Sequence, residues 1–261
     1  MSARGRRPGR AIILMYHRVS ASSFDTQEGD YVISPAAFAD QMALLAAQPG
    51  RVVGLEALLS GECGPQAVAL TFDDGCNTDF AIVLPILREH RFKAAFFVNP
   101  ARLDREGYLS WDQLERIAAA GMTVGSHGHD HRLLDDLSAA ELAEQLDGSK
   151  WALEKGLGTV IDTLALPGGV GGRRVIGAAR EAGYRVILGS RPGLVESPAP
   201  GEVLPRYAVR LSRGTEGFRA LIDQRFSVRA VQELRYRATR LARAALGPAR
   251  YERIRAGWLS P

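Results

Sequence analysis

Seven short apolar runs recur along the chain: AIILMY (11–16), AVALTF (67–72), KAAFFV (93–98), MTVGS (122–126), VIDTLAL (160–166), YRVIL (184–188) and VLPRYAV (203–209). A weaker eighth, RVVGL, covers 51–55. Stretches of helical periodicity lie between them, over about 35–48, 79–90, 110–120, 138–155, 173–182 and 215–224. Runs this short that do not alternate with polar residues suit strands buried on both faces, which is the situation of a parallel sheet covered by helices. Seven or eight strand–helix units predict an α/β chain that closes into a (β/α) barrel rather than an open sheet. Helix starts are marked locally: Ser34-Pro35 pairs a cap with a proline at the first helical position, Ser110 caps the next, and Ser138 with Glu141 forms a capping box.

Charge divides the same chain into three parts. Residues 1–10 hold four Arg and no acid, and 225–261 hold nine Arg and two Glu, so the body between them carries −7 against an overall +4. The reading is a disordered basic tail at 1–10, a barrel over 11–224 and a basic helical extension over 225–261, helical from Ser227 to Leu246. That extension either packs on the barrel or adsorbs to anionic lipid as a basic amphipathic helix. Nucleic acid is not an expected partner, because aromatics are sparse and no binding motif is present. No stretch approaches the roughly 18 apolar residues of a membrane span, and the apolar run at 11–15 is too short for a signal peptide. A cytoplasmic location, with peripheral membrane contact through the basic helix, is the expectation. Cys63 and Cys76 lack metal-type spacing and read as free thiols.

Chemistry concentrates where strands end. The run 67–72 passes directly into Asp73, Asp74 and Gly75, and two adjacent carboxylates cost free energy unless something takes up their charge. The strand at 122–126 runs into GSHGHDH, which places three of the five histidines, His127, His129 and His131, within five residues. His127 and His131 are four apart and can converge on one ion if the loop coils. One carboxylate and two imidazoles form a facial ligand set with open positions. The spacing of His129 suits a supporting or solvent-facing role.

TFDDG (71–75) followed by H-x-x-x-H at a later strand end resembles the polysaccharide deacetylase (NodB-homology) family, the family 4 carbohydrate esterases, over roughly 11–210. The resemblance implies a distorted (β/α) barrel that removes acetyl groups from sugar polymers with a divalent metal. It assigns Asp74, His127 and His131 to the metal and Asp73 to the general base. Two adjacent acids are then tolerable, since one is a ligand and the other takes a proton from water. Zinc is the first expectation, with cobalt and nickel open.

Three departures from the family pattern stand out. Gly128 follows the first histidine where Ser or Thr is usual. LALPGG (164–169) has Ala165 where the family places an Arg that steadies the catalytic Asp, and Gly168 in place of an aromatic. No histidine follows His131, so the late general-acid motif is missing. MYHRV (15–19) places His17 at the end of the first strand, which resembles the circularly permuted branch that includes poly-N-acetylglucosamine deacetylases. His17 is then the expected general acid, supported by Asp25 or Asp30. Asn99, Pro167, Gly168 and Arg206 are candidate substrate-groove residues, and Arg206 is equally a candidate to replace the missing Arg beside Asp73. The implied reaction is metal-dependent N-deacetylation of a glycan or lipid-linked saccharide. An O-acetyl esterase and a silent glycan-binding barrel are the alternatives.

Overall fold

The computed structural model describes residues 10–21, 29–61, 63–196 and 201–246. The expected tail up to residue 9, Asp25 and the extension beyond Leu246 lie outside the described residues. The strands are β1 (Ile12–Tyr16), β2 (Arg18–Val19), β3 (Val32–Ile33), β4 (Val68–Phe72), β5 (Ala94–Val98), β6 (Thr123–Ser126), β7 (Thr163–Ala165), β8 (Val186–Leu188), β9 (Val203–Leu204) and β10 (Tyr207–Ala208). The helices are α1 (Pro35–Ala46), α2 (Leu55–Leu59), α3 (Leu84–Glu89), α4 (Trp111–Ala119), α5 (Ala139–Ala143), α6 (Ser149–Leu157), α7 (Arg173–Glu181), α8 (Gly214–Ile222) and α9 (Phe226–Leu246).

Eight strands form one parallel sheet in the order β10-β1-β4-β5-β6-β7-β8-β9. β9 pairs with β8 and β10 pairs with β1, yet only Pro205 and Arg206 separate them in the chain. The stretch expected as one strand over 203–209 therefore serves both edges and closes the curled sheet into a distorted barrel. The short β2 and β3 pair with each other outside it.

Alternation along the buried strands sorts their side chains into two clusters. Ile12, Leu14, Tyr16, Leu70, Phe72, Phe96 and Ile187 pack outward with the helices. Ile13, Ala69, Ala95, Phe97, Ala165, Leu188 and Leu204 face the barrel interior. Several interior residues are small, which leaves room for one large side chain from the closing segment. α2 sends Leu55 and Leu58 into the inner cluster beside Ala11 and Ala67, so the amino end of the barrel is filled.

The expected caps are present: Ser34 accepts from Ala37 N, and Ser110–Gln113 and Ser138–Glu141 form capping boxes. The weak strand at 51–55 is not formed. Only Val52 bridges to Val68, and Gly54 precedes α2. The helices expected over 79–90 and 138–155 each contain a π-type turn, at Asp79–Val83 and Glu144–Gly148. α9 lies against α8, which lies against α1. Val231, Leu234 and Leu241 are exposed along α9. No helix among the described residues is long and apolar enough to cross a membrane.

Candidate metal centre and active site

β4 delivers both carboxylates. Asp73 N donates to Tyr16 O at 3.0 Å, which extends the ladder by one residue and keeps Asp73 on the inward face with Thr71. The chain then turns. Asp74 has φ 78° and Gly75 φ 67°, and a Cβ on Gly75 would stand 3.0 Å from Val98 Cγ1. Only glycine fits there, and a non-glycine residue in the left-handed region at Asp74 is strain of the kind found at functional sites. The turn swings Asp74 away from the interior and toward the mouth.

β6 delivers the histidines. His127 N donates to Val98 O at 2.9 Å, and Gly128 and His131 have φ 73° and 74°. Buried side chains hold this loop. Asn99 Nδ2 donates to the carbonyls of His127 and Gly128, and Ser126 Oγ accepts from Gly128 N at 3.1 Å. Gln145 Oε1 accepts from His129 N and Asp130 N at 3.0 and 3.2 Å. Gln145 sits in the second π-type turn, a distortion common beside functional sites.

These turns bring Asp74, His127 and His131 together. Asp74 Oδ1 lies 3.5 Å from His127 Nε2 and 3.2 Å from His131 Nε2. It is buried, with no hydrogen-bond partner among the described residues. His127 Nδ1 is 2.8 Å from Ala165 O, a contact that places the ring proton on Nδ1 and turns the Nε2 lone pair toward Asp74. Burial lowers the His127 pKa to about 4, so the ring is neutral near pH 7. Donor atoms about 2.1 Å from a shared tetrahedral ion lie about 3.4 Å apart. The donor set therefore fits a divalent cation in type, protonation and spacing. Burial pushes the Asp74 carboxyl up, but His131, His127 and His17 outweigh it and hold the group ionised.

Asp73 lies beside the cluster, with Oδ2 4.0 Å from His127 Nε2, and is 1% exposed. Arg206, 0% exposed, grips it with both ends of its fork: Nη1 donates to Oδ1 at 2.7 Å and Nη2 to Oδ2 at 2.8 Å. Nη1 also donates to Thr71 Oγ1, and Nε donates to Gly189 O. Burial raises the Asp73 pKa, Arg206 and then His127 lower it, and the net shift is downward. Arg206 is thus enclosed beneath the site and does not line a groove. It fills the space that Ala165 and its small neighbours leave. Asn99, 1% exposed, likewise supports the loop from below, so neither residue has a surface to offer substrate.

His17 follows β1, with its ring centroid 4.8 Å from that of Tyr31. Its Nδ1 is buried without a hydrogen-bond partner among the described residues. Asp30 is not its support: both Asp30 oxygens are occupied, by Ser212 N and Oγ and by Arg210 Nη1. Pro167 is buried, with Cγ 3.2 Å from where a Gly128 Cβ would stand, while Gly168 is exposed with φ 66°. Two contributors escape a sequence reading. Gln145 sits within an ordinary-looking helix, and Ala165 acts through its carbonyl, which no side-chain motif can signal. Asp79 is a third: it is fully buried, and burial and then the Asp74 charge push its carboxyl well up.

Residues 60–187 match the sequence model of the family described as Polysaccharide deacetylase. The Bacillus subtilis (strain 168) protein YxkH is 23% identical over 214 residues, covering 81% of this chain and 75% of that protein. A peptidoglycan-N-acetylglucosamine deacetylase of Bacillus cereus is 32% identical over 129 residues, 47% of this chain and 56% of that one. This chain thus spans little more than half the length of the second relative. The structure of Streptococcus pyogenes deacetylase PplD in complex with acetate shares the fold. The TM-score is 0.74 at 21% identity, covering 82% of this chain and 99% of that one.

Proposed function

Residues 60–187 place this chain in the polysaccharide deacetylase family, and from that premise we propose that it is a metal-dependent hydrolase removing N-acetyl groups from a glycan. The observation that carries the reading is an unpartnered buried carboxylate oxygen facing two imidazole nitrogens, beside a second carboxylate clamped by a buried arginine. A pure binder has no need of a base next to a cation site. A divalent ion held by Asp74, His127 and His131 would polarise the acetyl carbonyl and acidify water there.

Asp73, kept ionised by Arg206, takes the proton of the attacking water. The Arg206 fork also fixes the carboxylate plane, so the base does not rotate away. The Ala165 carbonyl keeps His127 in one tautomer. His17, at the end of β1, is the general acid in this reading: it gives its proton to the leaving nitrogen as the C–N bond breaks. Water and the N-acetyl sugar thereby become acetate and a free amino sugar. Zinc is the expected ion. A lipid-linked form of the substrate belongs to the same reading, consistent with the exposed Val231, Leu234 and Leu241 on α9.

The test is acetate release from N-acetylglucosamine oligomers, lipid-linked N-acetyl sugars and a generic acetyl ester. The protein is used metal-stripped and with zinc, cobalt or nickel restored. Metal-dependent acetate from an N-acetyl sugar is expected, with His17→Ala slower by about 10²–10⁴-fold. Acetate from the ester alone would make it an O-acetyl esterase. Silence with metal bound would make it a non-catalytic barrel.

A further inference from the structure

Beside His17 the carboxyl ends of β1 and β10 open into a cavity of about 210 Å³ that α9 covers from the outside. Tyr31, whose ring contacts His17, lines it together with Tyr236 of α9. Three arginines line the same cavity: Arg210, Arg213 and Arg235. Arg210 is already used. It donates to Asp30 at 3.2 Å and to the Tyr31 hydroxyl at 2.6 Å, and its guanidinium lies 4.4 Å from the Tyr31 ring centre. Among the described residues Asp30 is the one acid bonded to this group of arginines, and Glu233 of α9 is taken by Arg237.

Arg213 and Arg235 have no such acid among the described residues. Arg213 Nε is buried and has no hydrogen-bond partner among the described residues. Burial, followed by the charges of Arg210 and Arg235, makes its protonated form harder to hold. Gln232, 5% exposed, also lines the cavity, and its Nε2 is buried with no partner among the described residues. Unmatched donors and crowded like charges cost free energy, which a bound oxyanion would relieve with charge-assisted bonds.

We propose that Arg213, Gln232 and Arg235 form a subsite for an oxyanion, a phosphoryl or carboxyl group, carried by the acetylated saccharide. The proposal rests on the deacetylase reading for its substrate and on the cavity alone for its ligand. It gives the Arg-rich C-terminal helix a role in recognition: its Gln232–Tyr236 face turns to the site. Through Tyr31 the subsite adjoins His17, so a charged group held there would set which neighbouring acetamido sugar meets Asp73.

The experiment is equilibrium binding to the metal-stripped full chain at low salt, so that no bound metal captures the anion. N-Acetylglucosamine 1-phosphate, N-acetylmuramic acid and N-acetylglucosamine are compared. At least one charged sugar is expected to bind about tenfold or more tighter than the neutral one, with the gap closing as salt rises. The two charged sugars distinguish phosphoryl from carboxyl. Arg213→Gln/Arg235→Gln should abolish the preference, and Arg235→Gln alone, at an exposed helix position, should weaken it without disturbing the fold. Equal binding of all three sugars, or a preference that survives both substitutions, overturns the subsite. Acetate release is read separately. Acetate without charge preference would sink the subsite and leave the deacetylase standing, whereas charge preference without acetate would do the reverse.

Discussion

Replacing Arg206 with Met tests the account of the catalytic base most directly. The guanidinium makes both of the described strong contacts to Asp73, at 2.7 and 2.8 Å, and both groups are essentially inaccessible. Removing one partner of such a pair strands the other, at a cost of about 3–5 kcal/mol, against about 1 kcal/mol or less for an exposed pair. The pH dependence follows from the signs. In the wild type the folded-state pKa of Asp73 is lowered, so the pair's contribution is complete above the unfolded value near 3.9 and lost as pH falls through the folded value. In Arg206→Met the largest lowering cause is gone and burial dominates, so the carboxyl moves above its ordinary range. Its cost is then greatest near neutral pH and fades once acid protonates it. Denaturant unfolding of metal-stripped protein near pH 7 and near pH 4 should therefore show a large deficit that shrinks in acid. Asp73→Asn/Arg206→Met should recover much of the loss, because no charge is left stranded. In the active enzyme the acid limb of the pH–rate profile should move upward. A deficit under about 1 kcal/mol near pH 7, or a double variant no better than the single one, would refute the reasoning.

Other consequences are equally direct. Zinc at about a hundred times its Kd should stabilise the wild type by about 2.7 kcal/mol in thermal unfolding, and Asp74→Asn should lose that increment. His127 is buried neutral with a pKa of about 4, so the unfolded chain binds its proton first as pH falls. Metal-stripped protein should lose up to roughly 3 kcal/mol between about pH 6.5 and pH 4, and His127→Gln should flatten that slope in a pH series of unfolding curves. Gly128→Ser restores the more usual family residue but puts a side chain at φ 73°, 3.2 Å from Pro167 Cγ. It should cost about 1–2 kcal/mol by chemical denaturation.

Strand-end chemistry was readable in the linear chain because β4 and β6 carry their functional residues immediately after an apolar run. The runs place the Asp73–Asp74 pair and the histidines at strand ends, while the choice of Asp74 as the partner of His127 and His131 came with the family resemblance and agrees with how the three meet in the structure. What depends on closure was readable only as an alternative. The sequence offers Arg206 either beside Asp73 or along the groove, and closure decides for the first, because 203–208 serves both edges of the sheet and brings Arg206 to Asp73 across 133 residues. The missing Arg at Ala165 is thereby accounted for. The small side chain vacates the interior, its carbonyl orients His127, and a guanidinium from the closing segment takes the position beside the base. The same closure explains why Arg206 is misassigned when it is read as a groove residue. A strand-end arginine next to a proline has the same sequence signature whether it points out of the barrel or into it, and only the register of the two edges decides. Gln145 and Asn99 follow the same rule. Their value lies in backbone groups of a loop 16 and 28 residues away in the chain, a relation that exists only after packing. If this division is right, moving the arginine should be possible. Ala165→Arg combined with Arg206→Met returns the charge to the family's usual position, and it should regain more of the pH 7 stability and acetate release than Arg206→Met retains. Failure to regain either would mean that the barrel interior had adapted to its present clamp and could no longer accept the other.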